Sequence, residues 1–163
     1  MDGRSETFEA FYRRSWPVVF RAAYLISGDR ETARDLAQEA FVRAFEHWRG
    51  VSTMERPEAW TYRVVSNLSL SWRRRQRLAR EREPQARLGA QLEPGESVPE
   101  IVSALRTLPA AQRVVVVMRY YADLSIEETA RALRKRPATV RSLAAQGIAR
   151  LRASFAEQEV HDG

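Results

Sequence analysis

Apolar residues recur every three or four positions along almost the whole of this chain, and the pattern breaks for a long stretch only once. That spacing lines one face of an α-helix, so the sequence can hardly fold as anything but packed helices. Phe8, Phe11, Tyr12, Val19 and Ala23 predict a first helix over about 5–26. Ser27-Gly28-Asp29 supplies a stop and then an N-cap. A second helix carries Ala33, Ala37, Phe41, Ala44, Phe45 and Trp48 on one stripe. Arg34, Asp35, Gln38, Glu39, Arg43 and Glu46 lie opposite. A polar loop, 49–56, leads to Pro57, well suited to open a third helix. That helix bears Trp60, Val64, Leu68 and Trp72 and runs into Arg73-Arg74-Arg75-Gln76-Arg77.

The break is the segment 82–99. It holds Pro84, Gly89, Pro94, Gly95 and Pro99 and few large apolar residues, the composition of a linker. It is long enough that the domains it joins need not pack on each other. Beyond it come a short helix, Ile101 to Leu108, a break at Leu108-Pro109, and Ala110 to Tyr121. Val114 to Val117 has strand propensity, but length, Pro109 and helical neighbours favour helix. The expected fold is all-α: two small helical domains joined by a flexible linker. The expected boundaries are 1–81, linker 82–99, 100–156 and an acidic tail 157–163.

Several function classes are disfavoured. The chain has no cysteine, so a disulfide scaffold, a thiolate zinc site and a cysteine nucleophile are excluded. His47 and His161, the two histidines, lie far apart in sequence. No Gly-rich phosphate loop and no nucleophile–base pair can be found. The expectation is a protein without catalysis of its own, with no metal, no cofactor and no small-molecule substrate. The longest run of large apolar residues, Val114 to Met118, is far short of the roughly 20 needed to span a bilayer. No apolar leader follows Met1, so a soluble cytoplasmic protein is expected.

Charge is distributed in blocks. Residues 59–90 hold eight arginines and two glutamates, a balance of +6; residues 131–156 hold seven basic residues and no acid, a balance of +7. The segments around them are acidic or near neutral. Two separated basic blocks, each ending a helical pattern, predict two places that touch a polyanion, against the plainer reading of two solvated faces.

The second block coincides with a motif. Ser125-Ile126-Glu127-Glu128 reads as a capping box opening a short helix to Leu133. Arg134-Lys135-Arg136 forms a basic turn, and Pro137 opens the next helix, with Val140 placed to pack back. The pattern is a helix-turn-helix, or else a plain helical hairpin; the charge favours the former. Thr139, Arg141, Ser142, Ala145 and Gln146 would face base edges, while Arg134, Lys135 and Arg136 neutralise phosphates. The residues alone also fit a helix-turn-helix regulator binding duplex DNA independently of any polymerase. A helical protein-interaction module matches the charge less well.

Ala33-Arg34-Asp35-Leu36-Ala37-Gln38-Glu39-Ala40-Phe41 and the span from Trp60 to Asn67 form one set of motifs. Leu108-Pro109, Arg113, Arg119-Tyr120-Tyr121, Ser125-x-x-Glu128-x-Ala130, Thr139-Val140-Arg141-Ser142 and Ala149-Arg150-Leu151-Arg152 form another. With both sets in this order, the chain resembles the group IV, extracytoplasmic-function sigma factors of bacterial RNA polymerase over nearly its whole length. The resemblance implies sigma region two, then a linker, then sigma region four. It implies that the first half docks on the polymerase clamp helices through Asp35, Gln38, Glu39 and Arg43. Asn67 and the loop 49–56 would hold a base flipped from the −10 element, an Asn amide offering both donor and acceptor. Ser71, Arg73, Arg74, Arg75 and Arg77 would run beside that site along phosphates. Region four would sit on the polymerase flap with its second helix in the −35 major groove. An anti-sigma factor is a possible further partner on the same resemblance. Trp60 is read as core; Trp72, beside the arginines, suits either core or a stacking platform.

Region four departs from the family pattern. Arg134 stands where the turn usually has Gly, Arg136 and Ala138 replace the usual Ser and Gly, and Gln146 stands where a basic residue is common. The resemblance therefore places the −35 side without fixing its contacts.

Overall fold

The computed structural model describes residues 5–82 and 98–163. The order is α1 (Phe8–Ser27), α2 (Arg30–Glu46), a one-turn α3 (Trp48–Val51), α4 (Pro57–Arg82), α5 (Glu100–Arg106), α6 (Ala110–Val116), α7 (Ile126–Leu133) and α8 (Pro137–His161). A π turn, Val117–Tyr121, continues α6. No strand occurs among the described residues.

In the first half α1, α2 and α4 form a bundle. The Thr7 side chain accepts from the Ala10 amide at 3.2 Å and starts α1. Gly28, in the left-handed region at φ 75°, ends it, its amide donating to the Tyr24 carbonyl at 2.8 Å. Asp29 then caps α2 through the amide and hydroxyl of Thr32, at 2.8 and 2.7 Å. The buried stripe of α2 is mostly alanine (Ala33, Ala37, Ala40 and Ala44 are fully buried), which lets Phe11, Val19 and Ile26 of α1 come close.

Two stripes differ from the sequence reading. Phe45 is 63% exposed and only touches the core edge, through Phe8 at 5.1 Å. On α4 the buried residues are Pro57, Thr61, Tyr62, Val65, Ser66 and Ser69, while Trp60, Val64, Leu68 and Trp72 are half-buried. The reason is that α4 is covered twice, by α1 and α2 on one side and by α6 and α7 on the other. The serines hide the second face from a hydropathy reading. The Ser66 hydroxyl, for one, donates to the Tyr62 carbonyl at 2.8 Å and meets Met118 Sδ at 2.9 Å.

In the second half the valine-rich segment is helical, as its context suggested. Val114 to Met118 are all buried, wrapped by neighbouring helices, so tertiary burial overrides β propensity. The π turn ends with the Ala122 amide on the Val117 carbonyl at 3.0 Å, and Asp123 follows at φ 56°. Helix α8 continues to His161, so it takes in most of the expected acidic tail. It crosses α6 at Gly147, where an added Cβ would stand 2.6 Å from Val116 Cγ2 and 3.3 Å from Leu108 Cδ2.

The halves pack against each other, and one continuous apolar core runs through both. The length of the joining segment leaves the halves able to stay apart; in this structure they are packed together. The joining segment, 83–97, lies outside the described residues.

The helix-turn-helix geometry is built from local bonds. The Ser125 hydroxyl accepts from the Glu128 amide at 3.0 Å and the Glu128 carboxylate accepts from the Ser125 amide at 2.7 Å, the expected capping box. That amide holds the Glu128 carboxyl below the usual carboxylate range. Arg134 ends α7 at φ 53°, ψ 46°. Its amide reaches the Arg131 carbonyl at 3.4 Å and the Lys135 amide reaches the Ala130 carbonyl at 2.9 Å, a Schellman motif. This is the left-handed position for which glycine is the unstrained residue, and arginine holds it at a cost of about 1–2 kcal/mol.

Two stability outcomes follow. Gly147→Ala should lower unfolding free energy by about 1–2 kcal/mol, overpacking at Val116 outweighing the better helix propensity. Arg134→Gly should raise it by about 0.5–1 kcal/mol, the released strain exceeding the extra entropy lost by glycine. Urea denaturation of the purified variants measures both, and a stabilised Gly147→Ala would refute the close crossing.

Candidate nucleic-acid interfaces

Helix α8 presents the residues expected on the −35 side. Arg134, Arg136, Thr139, Arg141, Ser142, Ala145 and Gln146 are exposed and Lys135 is half-buried. Val140 and Ala144, on the opposite side of the helix, are buried and fix its rotation. Arg136 stands at the N-cap without a side-chain cap bond, and Pro137 opens the helix. Arg141 makes a long 3.9 Å pair with Glu127 between two exposed side chains, which contributes little. The face is therefore basic at its turn and polar but uncharged from Ser142 to Gln146.

The −10 candidates divide. Ser71, Arg74, Arg75 and Arg77 are exposed along α4. Arg73 turns the other way. Its guanidinium donates to the carbonyls of Ile26 and Ser27 at 3.2 and 3.3 Å, and burial, with the charge of Arg80, lowers its pKa. Asn67 is exposed, but its amide donates to the Ala132 carbonyl at the end of α7, 3.2 Å away. The expected base reader of one half is thus engaged by the other. In the loop before α4, Arg56 also points across, donating to the carbonyls of Ala122 and Asp123 at 3.0 and 3.2 Å.

On α2, Asp35, Gln38, Glu39 and Arg43 share an exposed face, with Arg43 paired to Glu39 at 2.9 Å. Val42 and Phe45, 52% and 63% exposed, lie among them, so the face is amphipathic. The sequence reading assigned Phe45 to the core and missed this apolar contribution. Asp35 and Glu39 also border a shallow groove that Leu68, Trp72 and Arg75 complete from α4. Trp72 is thereby half-exposed at a surface, whereas Trp60 packs over His47 with ring centroids 5.8 Å apart.

The sequence reading also missed a buried arginine junction. Arg113 is 4% exposed and donates to the carbonyls of Ile26, Arg106 and Leu108 at 3.0–3.1 Å. Arg106 donates through Nε to the Gly28 carbonyl at 3.0 Å and through its terminal nitrogen to the same oxygen. Among the described residues, Arg73, Arg106 and Arg113 make no ion pair with a carboxylate. Burial and the nearby charges of Arg73 and Arg106 pull Arg113 down to about 10, still charged at neutral pH. Gly28 was the available signal, since a left-handed helix end exposes carbonyls that need donors.

Among the described residues no group of three or more His, Asp or Glu could hold a metal, and no helix is long and apolar enough to cross a membrane.

Residues 11–79 match the family model "Sigma-70 region 2" and residues 99–151 match "Sigma-70, region 4". The RNA polymerase sigma-E factor of Streptomyces avermitilis is 31% identical, over 94% of this chain and 87% of its own length. The RNA polymerase sigma-E factor of Streptomyces antibioticus is 32% identical over 89% and 82%. ECF RNA polymerase sigma factor SigX of Bacillus subtilis is 26% identical over 90% and 82%. Among solved structures, the sigma factor RpoE of Bartonella quintana, in complex with the anti-sigma factor NepR, superposes with a TM-score of 0.71 at 22% identity, covering 91% of this chain and 96% of that one. CnrH, in complex with the cytosolic domain of CnrY, gives 0.62 at 21% identity, covering 95% and 91%. Those two likenesses concern the fold. With both halves matched in order and relatives above 30% identity aligned over most of their length, the chain belongs to the extracytoplasmic-function sigma factors of the sigma-70 family.

Proposed function

We propose that this sigma factor binds core RNA polymerase in the cytoplasm and directs initiation by capturing an unpaired −10 base at Asn67 and seating α8 in the −35 major groove. The observation that supports this best is two separate basic faces on one chain, on α4 and at the turn into α8, beside an amphipathic, mixed-sign face on α2. The α2 face suits a protein helix, because Val42 and Phe45 supply apolar contact while Asp35, Gln38, Glu39 and Arg43 set register. Arg74, Arg75 and Arg77 suit a phosphate path beside Asn67. Arg136, Lys135 and Arg134 suit phosphates flanking the −35 groove. The chain makes and breaks no bond; it supplies binding energy that favours locally melted DNA. An anti-sigma partner is part of this reading, since one structural neighbour, RpoE of Bartonella quintana, is bound to the anti-sigma factor NepR.

The packed arrangement bears on the mechanism. A base cannot use the Asn67 amide fully while that amide serves the Ala132 carbonyl. Withdrawal of α7 from α4 would free that N–H for the base as well, the other N–H and the amide oxygen being available already. The apolar core shared by the halves and the polar bonds crossing between them, from Arg56, Asn67, Arg106, Arg113 and Tyr121, together set the free energy of that withdrawal.

Added to core polymerase from a related bacterium, the protein should yield promoter-specific transcripts from genomic templates; none from any template would sink the reading. Asn67→Ala should slow open-complex formation roughly tenfold or more while polymerase binding is retained. Equal loss of both would mean a folding role. Arg106→Ala should destabilise the closed arrangement by about 1.5–3 kcal/mol, the range for a charge-assisted bond. Small-angle scattering of the free protein should then report a larger radius of gyration; an unchanged radius would show that Arg106 does not hold the halves together.

A further inference from the structure

Gln146 lies on the exposed face of α8, at a position where a basic side chain had been expected, and it is not a loose surface glutamine. Gln112 on α6 is 7% exposed, and its Nε2 donates to Gln146 Oε1 at 3.1 Å. Gln146 Nε2 in turn donates to Ser142 Oγ, one helical turn back, at 3.3 Å. The two amides meet because α8 crosses α6 at Gly147, the next residue, whose added Cβ would stand 3.5 Å from the Gln112 carbonyl oxygen.

A carboxamide has two N–H donors and two acceptor lone pairs. The bonds to Gln112 and Ser142 occupy one acceptor site and one hydrogen. What remains is one acceptor and one donor. That pair complements the major-groove edge of adenine, which offers N7 as acceptor and the N6 amino group as donor. Guanine offers two acceptors there, N7 and O6, and is matched by arginine or lysine instead. Anchoring also removes rotamer freedom before DNA arrives, so less is lost on binding.

We propose that Gln146 is the specificity-determining residue of the −35 side, reading an adenine, and that buried Gln112 is the positioning residue that aims it. The inference rests on the proposed placement of α8 in the −35 groove. It explains how a recognition helix uncharged from Ser142 to Gln146 discriminates sequence while its phosphate contacts lie at the turn.

The test uses the full chain with core polymerase and a promoter library in which every −35 base pair is randomised, with transcript yield per sequence as the readout. Wild type should prefer adenine at one position by about tenfold to a hundredfold. Gln146→Ala should flatten that one preference and leave those elsewhere in the element. Gln146→Arg should move it to guanine at the same position. Gln112→Leu, which keeps the buried volume, should reduce the adenine preference several-fold there and nowhere else. Because Gln146 is exposed, its variants report even if Gln112→Leu does not fold, and Gln112→Met then serves as the second anchor variant. If Gln146→Ala keeps every preference, Gln146 is not the reader. If it loses the preference but folded Gln112 variants keep it in full, the positioning role falls. If wild type shows no −35 preference at any position, the placement of α8 itself is wrong, an outcome distinct from both.

Discussion

The carbonyl end of α1 is the point on which the rest of the structure depends. A helix terminus leaves carbonyls without intrahelical partners and carries partial negative charge. Here the carbonyls of Ile26, Ser27 and Gly28 are covered by Arg73 from the same half and by Arg106 and Arg113 from the other. Guanidinium groups suit this role because each presents several donors in a rigid fork and is less strongly hydrated than an ammonium group. The arrangement satisfies helix carbonyls without a carboxylate, so three positive charges gather with only dipoles to balance them. Such a junction is directional and polar. It fixes how the halves sit, yet contributes less net cohesion than an apolar seam of equal size, because each buried charge loses hydration.

Around that junction the surfaces are sorted by chemistry. The α2 face mixes signs with exposed Val42 and Phe45, the outer edge of α4 is arginine, and the start of α8 is basic at the turn and amide-bearing beyond it. Each surface sits on a helix whose opposite side is buried, so its side chains are aimed by the core beneath them. The small residues matter as much as the large ones. The alanines of α2 and Gly147 of α8 set how closely helices approach, and the approach decides which surface residues become neighbours.

Much of this was legible in the sequence, for physical reasons that differ by element. Helix ends were readable where the signals are local: Asp29 and the Ser125–Glu128 box work through bonds within three residues, and Pro137 through its own fixed φ and missing N–H. The polar faces of α2 and α8 were readable because periodicity separates a solvated stripe from a buried one. The stripe of α4 was misread because its second face is lined by serines and packs against a partner 52 residues away, as at Ser66 and Met118. Arginine reads as solvent-facing by default, and that hid the inward turn of Arg73 and the burial of Arg113. The engagement of Asn67 by Ala132 could not be read at all, because it depends on how two separately folded patterns meet.

Helix α8 has a mechanical aspect as well. Its 25 residues make a rod about 37 Å long. The bearing surface is Gly147, where the backbone rests on Val116 and Leu108 without an intervening side chain. The turns from Pro137 to Gln146 lie on one side of that contact and the stretch from Leu151 to His161 on the other. Val140 and Ala144 before that contact and Leu151 beyond it are buried as well, so the rod is clamped on both sides of its bearing point, and the pitch of its exposed first turns is set by the whole seam rather than by any residue on their surface.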